Sequence, residues 1–405
     1  MRLNTVMFRG NTRRIAIVLA VSLMVGCSGG SSSSATRTSL PATTPSNTVP
    51  AAASTPTVNP LLVIGQPDGV AVDGSGEVYF STSTTCLVRL VSGGIVTKVA
   101  GLPSGRGCGT SNDGPADAVQ LDHPLGVAVD GTGDVYIADY GNCVVRKLSG
   151  GAITTVAGRG THVCVYDAAS GPATSVSVYP SAVAVAGDGS VYIADWANCR
   201  VRQLRNGAIT TVAGVGTGLL AGCGSSGDGG SAIAAQLNKP FGVAVDGQGD
   251  VYIADTSNCR VRVVRAGTIS AFAGTGAGAL GTCNAGGDGG PASAATMGAP
   301  FGIAVDGAGD VFVVDSTNCN VRRVTPDGTI TTVVGTIGPP AERCGFGGDG
   351  GPATTAKLNH PEGIAVDAQN NLYIADTQNC RVREVTGGVI QTIAGGDACD
   401  IPKGP

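Results

Sequence analysis

Six copies of one unit of about sixty residues fill the chain from Leu61 onward, and this recurrence constrains the fold more than any other feature. The copies begin at Pro67, Pro124, Pro180, Pro240, Pro300 and Pro361, at intervals of 57, 56, 60, 60 and 61 residues. The fourth copy is the clearest. It reads Pro240-Phe-Gly-Val-Ala-Val-Asp246, then Val251-Tyr-Ile-Ala-Asp255, Asn258-Cys-Arg-Val-Arg262 and Thr268-Ile-Ser-Ala-Phe-Ala-Gly274. Each copy holds four short runs rich in Val, Ile and Tyr, separated by Gly, Asp and Asn. Such runs between turn residues predict strands. Four strands repeated six times, with no stretch patterned as a long helix, predict an all-β, six-bladed propeller of four-stranded blades over residues 61–405. An open solenoid is the rival architecture, and it would need capping repeats at its ends. None is visible in the sequence.

Residues 1–60 differ from the rest. Arg2, Arg9, Arg13 and Arg14 precede an uncharged run, Ile15–Val25, of eleven residues. This is the layout of a secretory leader, too short to span a bilayer. Leu23-Met-Val-Gly-Cys27 resembles a bacterial lipobox, which implies a leader over residues 1–26 and a lipidated Cys27. Residues 27–60 are a Ser/Thr/Pro-rich tether without periodicity. Removing the leader takes the 25 basic residues to 21 against 29 acidic ones, a net charge of −8. An acidic chain is a poor partner for nucleic acid or an anionic membrane surface. Contact with the membrane is expected through the lipid alone.

The repeats resemble those of the NHL family. Gly-Val-Ala-Val-Asp, Val-Tyr-Ile-Ala-Asp and Ile-Thr-Thr-Val-Ala-Gly stand in the family's order, and Gly227-Asp-Gly-Gly230 and Gly348-Asp-Gly-Gly351 match inserts of a bacterial secreted branch. One departure is systematic. The His of the family's Asn-His pair is Cys at Cys143, Cys199, Cys259, Cys319 and Cys380, and Thr85-Cys86 replaces the pair in the first copy.

Setting Cys27 aside leaves twelve cysteines in two classes of six, one at the start of each third strand and one in each segment after the fourth strand. An even count in an exported chain reads as a disulfide framework. Pairing within a blade gives Cys86–Cys108, Cys143–Cys164, Cys199–Cys223, Cys259–Cys283, Cys319–Cys344 and Cys380–Cys399. Pairing to the next blade closes segments of 35 to 36 residues instead. The third and fourth strands form a hairpin, which sets the start of one beside the end of the other and favours the first scheme. The spacings lack the paired ligands of a closed zinc site, so neither metal nor cofactor is expected.

Residues found in every copy belong to the frame. These include the aromatic ring Tyr79, Tyr136, Tyr192, Tyr252, Phe312 and Tyr373, and the arginines Arg89, Arg146, Arg202, Arg262, Arg322 and Arg383. The arginines read as structural ion pairs between blades, with no partner evident. Asp139, Asp195, Asp255, Asp315 and Asp376 read as turn caps, and Asp228, Asp288 and Asp349 as turn or helix caps rather than calcium ligands.

Residues that differ between copies are candidates for a site. Between the recurring Pro and Gly of the innermost strand stand Asp68, Leu125, Ser181, Phe241, Phe301 and Glu362. Blade order places Phe241 beside Phe301 and Glu362 beside Asp68, an apolar side and an acidic side around the channel mouth. Tyr140 and Trp196 follow the second strand on loops of the same face. No catalytic residue is assigned. The expected role is an exported, lipid-anchored binding or scaffold module for a protein, peptide or glycan at the cell envelope. The resemblance also admits a metal-dependent lyase or lactonase working at the channel. Against that, His123 and His360 fall in blades that are not neighbours, and His162 sits in an insert.

Overall fold

The computed structural model describes residues 63–102, 108–109, 112–160, 164, 170–216, 220, 222–276, 286–338, 340–396 and 399. Cys27, the leader and the tether lie outside them. The six copies form six antiparallel sheets, each holding its four strands in sequence order. The first strand lies innermost and the fourth outermost. In the third copy these are Pro180–Val185, Val191–Asp195, Arg200–Arg205 and Ala208–Ala213. Burial follows this order. The second strand, Val-Tyr-Ile-Ala-Asp, is buried at all five residues, whereas the fourth is exposed at alternate positions along its first half. A strand covered on both faces needs a continuous apolar run, and an edge strand needs alternation.

The core lies between the blades. Each of six buried clusters draws side chains from two neighbouring sheets. The sixth joins Val70, Val78 and Phe80 of the first blade to Tyr373, Ala375 and Val382 of the last, so the ring is closed. This rules out the solenoid. The aromatic ring found in every copy contributes to these clusters.

The segment joining two blades does more than connect them. After leaving the fourth strand of one blade it crosses to the outer edge of the next. Gly114–Pro115 pairs with Ala152–Ala157, and Gly171–Pro172 pairs with Ala208–Ala213. Single bridges Ser231 to Thr268, Pro291 to Thr329 and Pro352 to Val389 repeat the contact in blades four to six. An alanine then anchors the segment at both ends. Ala173 N–H donates to Gly207 O at 2.8 Å, and its carbonyl accepts from Gly158 N–H at 3.0 Å. Only afterwards does the chain turn inward as the next innermost strand.

This path supplies the missing partners of the arginine ring. Asp228 Oδ1 accepts from Arg262 at 2.6 Å, and its other oxygen accepts from Arg260 at 2.9 Å. Asp113 binds Arg146 at 3.0 Å, Asp349 binds Arg383 at 2.6 Å, and Asp288 binds Arg322. The capping role expected for Asp228, Asp288 and Asp349 is therefore corrected, and the short helical turns after them carry no side-chain cap. A loop carboxylate beside a buried guanidinium is better used neutralising it than capping one turn. Arg89 in the first blade relies instead on Thr82 Oγ1 and the Ile64 carbonyl, both at 2.8 Å.

The aspartates ending the second strand also do more than cap a turn. In all five blades one oxygen accepts the backbone N–H of the residue two before the first-strand proline (one before it at Tyr179), at 2.7 to 2.8 Å. The other oxygen accepts from the following Asn at 2.8 Å in four blades, and in the third Asn198 donates to the same Asp195 oxygen as Tyr179 N–H. Each carboxylate thus ties the second strand to the chain entering the first.

Five disulfides are resolved among the described residues: Cys86–Cys108, Cys143–Cys164, Cys199–Cys223, Cys319–Cys344 and Cys380–Cys399. All lie within a blade, with Cα separations of 5.4 to 5.5 Å. Cys283, named with Cys259, lies outside the described residues. The third-strand cysteines have φ between 52° and 57°, left-handed backbone that side chains seldom adopt.

Replacing Asp228 by Ala would leave Arg262 buried beside one fewer anion. An unfolding titration is expected to show a loss of about 3 kcal/mol, against less than about 0.5 kcal/mol for the exposed Asp117→Ala. Removing one disulfide as Cys199→Ala with Cys223→Ala is expected to cost about 3 kcal/mol, read in the same titration under oxidising conditions.

Candidate functional site

The innermost strands meet around the axis with almost no space between backbones. A Cβ added at Gly126 would lie 2.6 Å from Ala182 Cα, and one at Gly363 would lie 2.5 Å from the Asp68 carbonyl oxygen. Glycine at this position is therefore a requirement of the close approach, and Ala182 in the third blade is the one departure. Below this throat the channel is lined by the Val, Ala and Ile side chains of the same strands, around a cavity of about 180 Å³.

Above the throat is a smaller cavity of about 60 Å³, lined by Asp68, Leu125, Ser181, Phe241 and Glu362 together with the throat glycines. Phe301 stands beside this wall, its ring 4.4 Å from that of Phe241 at 45°. Blade order thus brings together both expected pairs. Ser181 is committed elsewhere, since its hydroxyl donates to the Phe241 carbonyl of the next blade at 2.8 Å. Ser81 donates likewise to the Leu125 carbonyl. These hydroxyls join blades and are not available to a ligand.

The acidic side is electrostatically unusual. Asp68 is nine-tenths buried, accepts from Ser83 N–H at 2.7 Å and is also held by the Ser83 side chain. Glu362 has no hydrogen-bond partner for its carboxylate among the described residues. Burial pushes Asp68 up to about 7 despite that bond and the positive influence of His123. Burial and then the negative Asp68 push Glu362 up to about 8. Two carboxyls with little solvation hold a proton near neutrality.

Tyr140 and Trp196 do not line the cavity. They form a half-exposed cluster with Tyr179, which the sequence reading did not single out. Tyr179 lies 5.0 Å from Tyr140 and 6.3 Å from Trp196, ring centre to ring centre. Burial and the neighbouring Tyr179 push the Tyr140 phenol up to about 12. Lys239 Nζ sits 5.3 Å above the Trp196 ring, within cation–π range. Tyr179 and Lys239 occupy the same place as His123 and His360, just before the first-strand proline. That position reads Gln66, His123, Tyr179, Lys239, Ala299 and His360 around the ring. Its variation against a constant Pro was the signal that would have found them.

These residues do not fit a metal. His123 is largely exposed and bonded to Asp122 at 2.6 Å, and His162 lies outside the described residues. Among the described residues the group of converging ligand atoms is Cys86, Cys108 and Asp122, whose two cysteines are already joined to each other.

Comparison with known proteins agrees with the repeat reading. The teneurin NHL domain profile matches residues 205–282, 266–343 and 339–402, and the NHL repeat profile matches residues 121–148. The chain is an NHL-repeat propeller. Human teneurin-4 is 30% identical over 217 residues, which is 49% of this chain. The match spans only 8% of teneurin-4. Among solved structures, a protein of unknown function from Bacteroides thetaiotaomicron has a TM-score of 0.57 at 19% identity, covering 80% of this chain and 70% of the other. An auxiliary nutrient binding protein of the same organism has a TM-score of 0.54 at 16% identity, covering 82% and 70%. At those identities the likeness concerns the fold of the NHL propeller alone.

The raised carboxyls make the propeller's stability depend on pH. An unfolded Glu titrates near about 4.3, so the native state holds more protons between there and about 8, and stability falls as pH rises through that window. Glu362→Gln removes its share. It is expected to raise the melting temperature at about pH 9 and change it little at about pH 4, as measured by calorimetry.

Proposed function

We propose that this propeller is a binding module that takes a peptide or glycan ligand across the axial face bearing the channel mouth. The observation that carries the reading is the distribution of side chains there. The frame is six-fold, yet the residues facing the mouth are of five kinds in six blades. Around the ring they form the Tyr140–Tyr179–Trp196 cluster in blades two and three, the Phe241–Phe301 pair in blades four and five, and the Asp68–Glu362 pair in blades six and one. Half-exposed aromatic rings supply large contact area at low entropic cost and tolerate polar partners at their edges. A rigid, disulfide-bonded frame presents them already in place, which reduces the entropy lost on binding.

The location is part of the proposal. The intra-blade disulfides fit an oxidising compartment, and no helix among the described residues is long and apolar enough to cross a membrane. We place the propeller outside the cytoplasm, held by a lipid on Cys27 after removal of residues 1–26, with residues 27–60 as its tether. Mass spectrometry of the exported chain would show a diacylated Cys27 as its first residue. An unmodified or internal Cys27 would remove the anchor from the account.

Ligand capture is tested with the disulfide-intact chain on peptide and oligosaccharide arrays. Trp196→Ala combined with Phe241→Ala and Phe301→Ala is expected to weaken the best captured ligand by at least about ten-fold, or 1.4 kcal/mol. The melting temperature should stay near that of the parent, because these rings are only partly buried. Capture unchanged by the triple substitution would place the site on another face.

A further inference from the structure

The small cavity above the throat has a one-sided chemistry that the broader binding reading does not explain. Its side chains are two carboxyls, a serine already bonded to backbone, and apolar groups, and its lining contains no Lys, Arg or His. Asp68 is buried and held by Ser83, and Glu362 is half-buried with its carboxylate unpartnered among the described residues. A carboxylate drawn from water without a partner is costly, and the fold sets the partly covered Glu362 beside the buried Asp68 on one cavity wall. The strongest cations nearby are engaged elsewhere: Lys239 lies over Trp196, and His123 is bonded to Asp122. The volume of about 60 Å³ is several times the roughly 10–15 Å³ of such space that one water needs. It admits a small charged head and the start of its stem.

We propose that this cavity is the seat for a primary ammonium group on an apolar stem, with Asp68 and Glu362 as its counter-charge and Phe241 and Phe301 as the wall along which the stem lies. The inference rests on the binding reading above and names the part of the ligand that enters the mouth. An ammonium has three donors and no acceptor, which suits a lining that offers acceptors alone. The Phe pair beside the mouth adds cation–π attraction where water is excluded. The empty pair holds a proton near neutrality, so seating the cation releases it. The groups acting on the pair are the Ser83 N–H, the Ser83 side chain and His123 on Asp68, and Asp68 on Glu362.

The test is calorimetric titration of the disulfide-intact chain with N-acetyl-lysine methylamide, its uncharged analogue N-acetyl-norleucine methylamide, and glucosamine. The lysine derivative is expected to bind and the norleucine derivative not. Binding should strengthen at least about ten-fold from about pH 5.5 to about pH 8.5, as protons leave the pair. Asp68→Asn and Glu362→Gln keep the shape and should each weaken binding at least about ten-fold, with melting temperature as the control for folding. Glucosamine binding with the same variant and pH dependence would support the seat and assign the amine to a sugar. Equal binding of the norleucine derivative, indifference to both substitutions, or no binding of the lysine derivative at about 10 mM would overturn the proposal. The two readings fail separately. An array ligand lost on Trp196→Ala but held fully by the Asp68→Asn, Glu362→Gln double variant overturns the ammonium seat and leaves the binding face standing. Lysine binding in a chain whose array ligands ignore Trp196 and both Phe does the reverse.

Discussion

The structure depends on the way each connecting segment belongs to two blades at once. A single four-stranded sheet of this sequence has two apolar faces and no means of covering them. Covering requires a neighbour on each side, and the linker fixes where that neighbour stands. It leaves one fourth strand, pairs with the next, in four of the blades places an aspartate on a buried arginine there, and only then descends to the axis. The disulfide holds the start of this linker to the blade it has left. Position between blades is thus set by backbone pairing, ion pair and covalent bond together, and the apolar clusters fill a gap of already fixed width. This arrangement explains why so few charged residues suffice, since those at the blade interfaces are paired.

A frame so constrained leaves freedom at its axial face. The throat holds glycine in five blades and alanine in the third, because backbones there touch where a larger side chain would stand. One residue earlier in each first strand, the side chain projects into the mouth and is bound by no such limit. The six blades accordingly hold two acids, two phenylalanines, a leucine and a serine. The serine shows that variation at such a position is not in itself evidence of a site, for Ser181 has been turned to joining blades. The unpartnered Glu362 is different in kind. Its partly covered carboxylate stands beside Asp68 and accepts from no group of the frame among the described residues, a disposition common at functional sites.

Much of the fold was legible in the sequence because repetition turns weak local signals into a strong one. A run such as Val-Tyr-Ile-Ala-Asp is ambiguous alone, and six runs of its kind, three of them identical, at one place in each copy are not. Adjacent pairs at the mouth could be read from blade order alone. The intra-blade cysteine pairs followed from hairpin geometry. The arginine partners were not legible, because Asp228 and Arg262 lie 34 residues apart and meet only when the linker crosses to the next sheet. Tyr179 was passed over for a related reason: it lies just before a recurring proline, outside the strands on which periodicity acts, and its contact with Tyr140 comes from the neighbouring blade.

Trp196 is the only tryptophan in the chain, and it stands on the face assigned to the ligand. Its emission is therefore a direct reporter of where binding occurs. Fractions of the native cell envelope should be titrated into the disulfide-intact chain while acrylamide quenching of Trp196 is followed. The account predicts that any fraction retained by the propeller also shields Trp196 from the quencher. Retention of a ligand with Trp196 as accessible as before would contradict the claim that this face of the ring is where the protein binds.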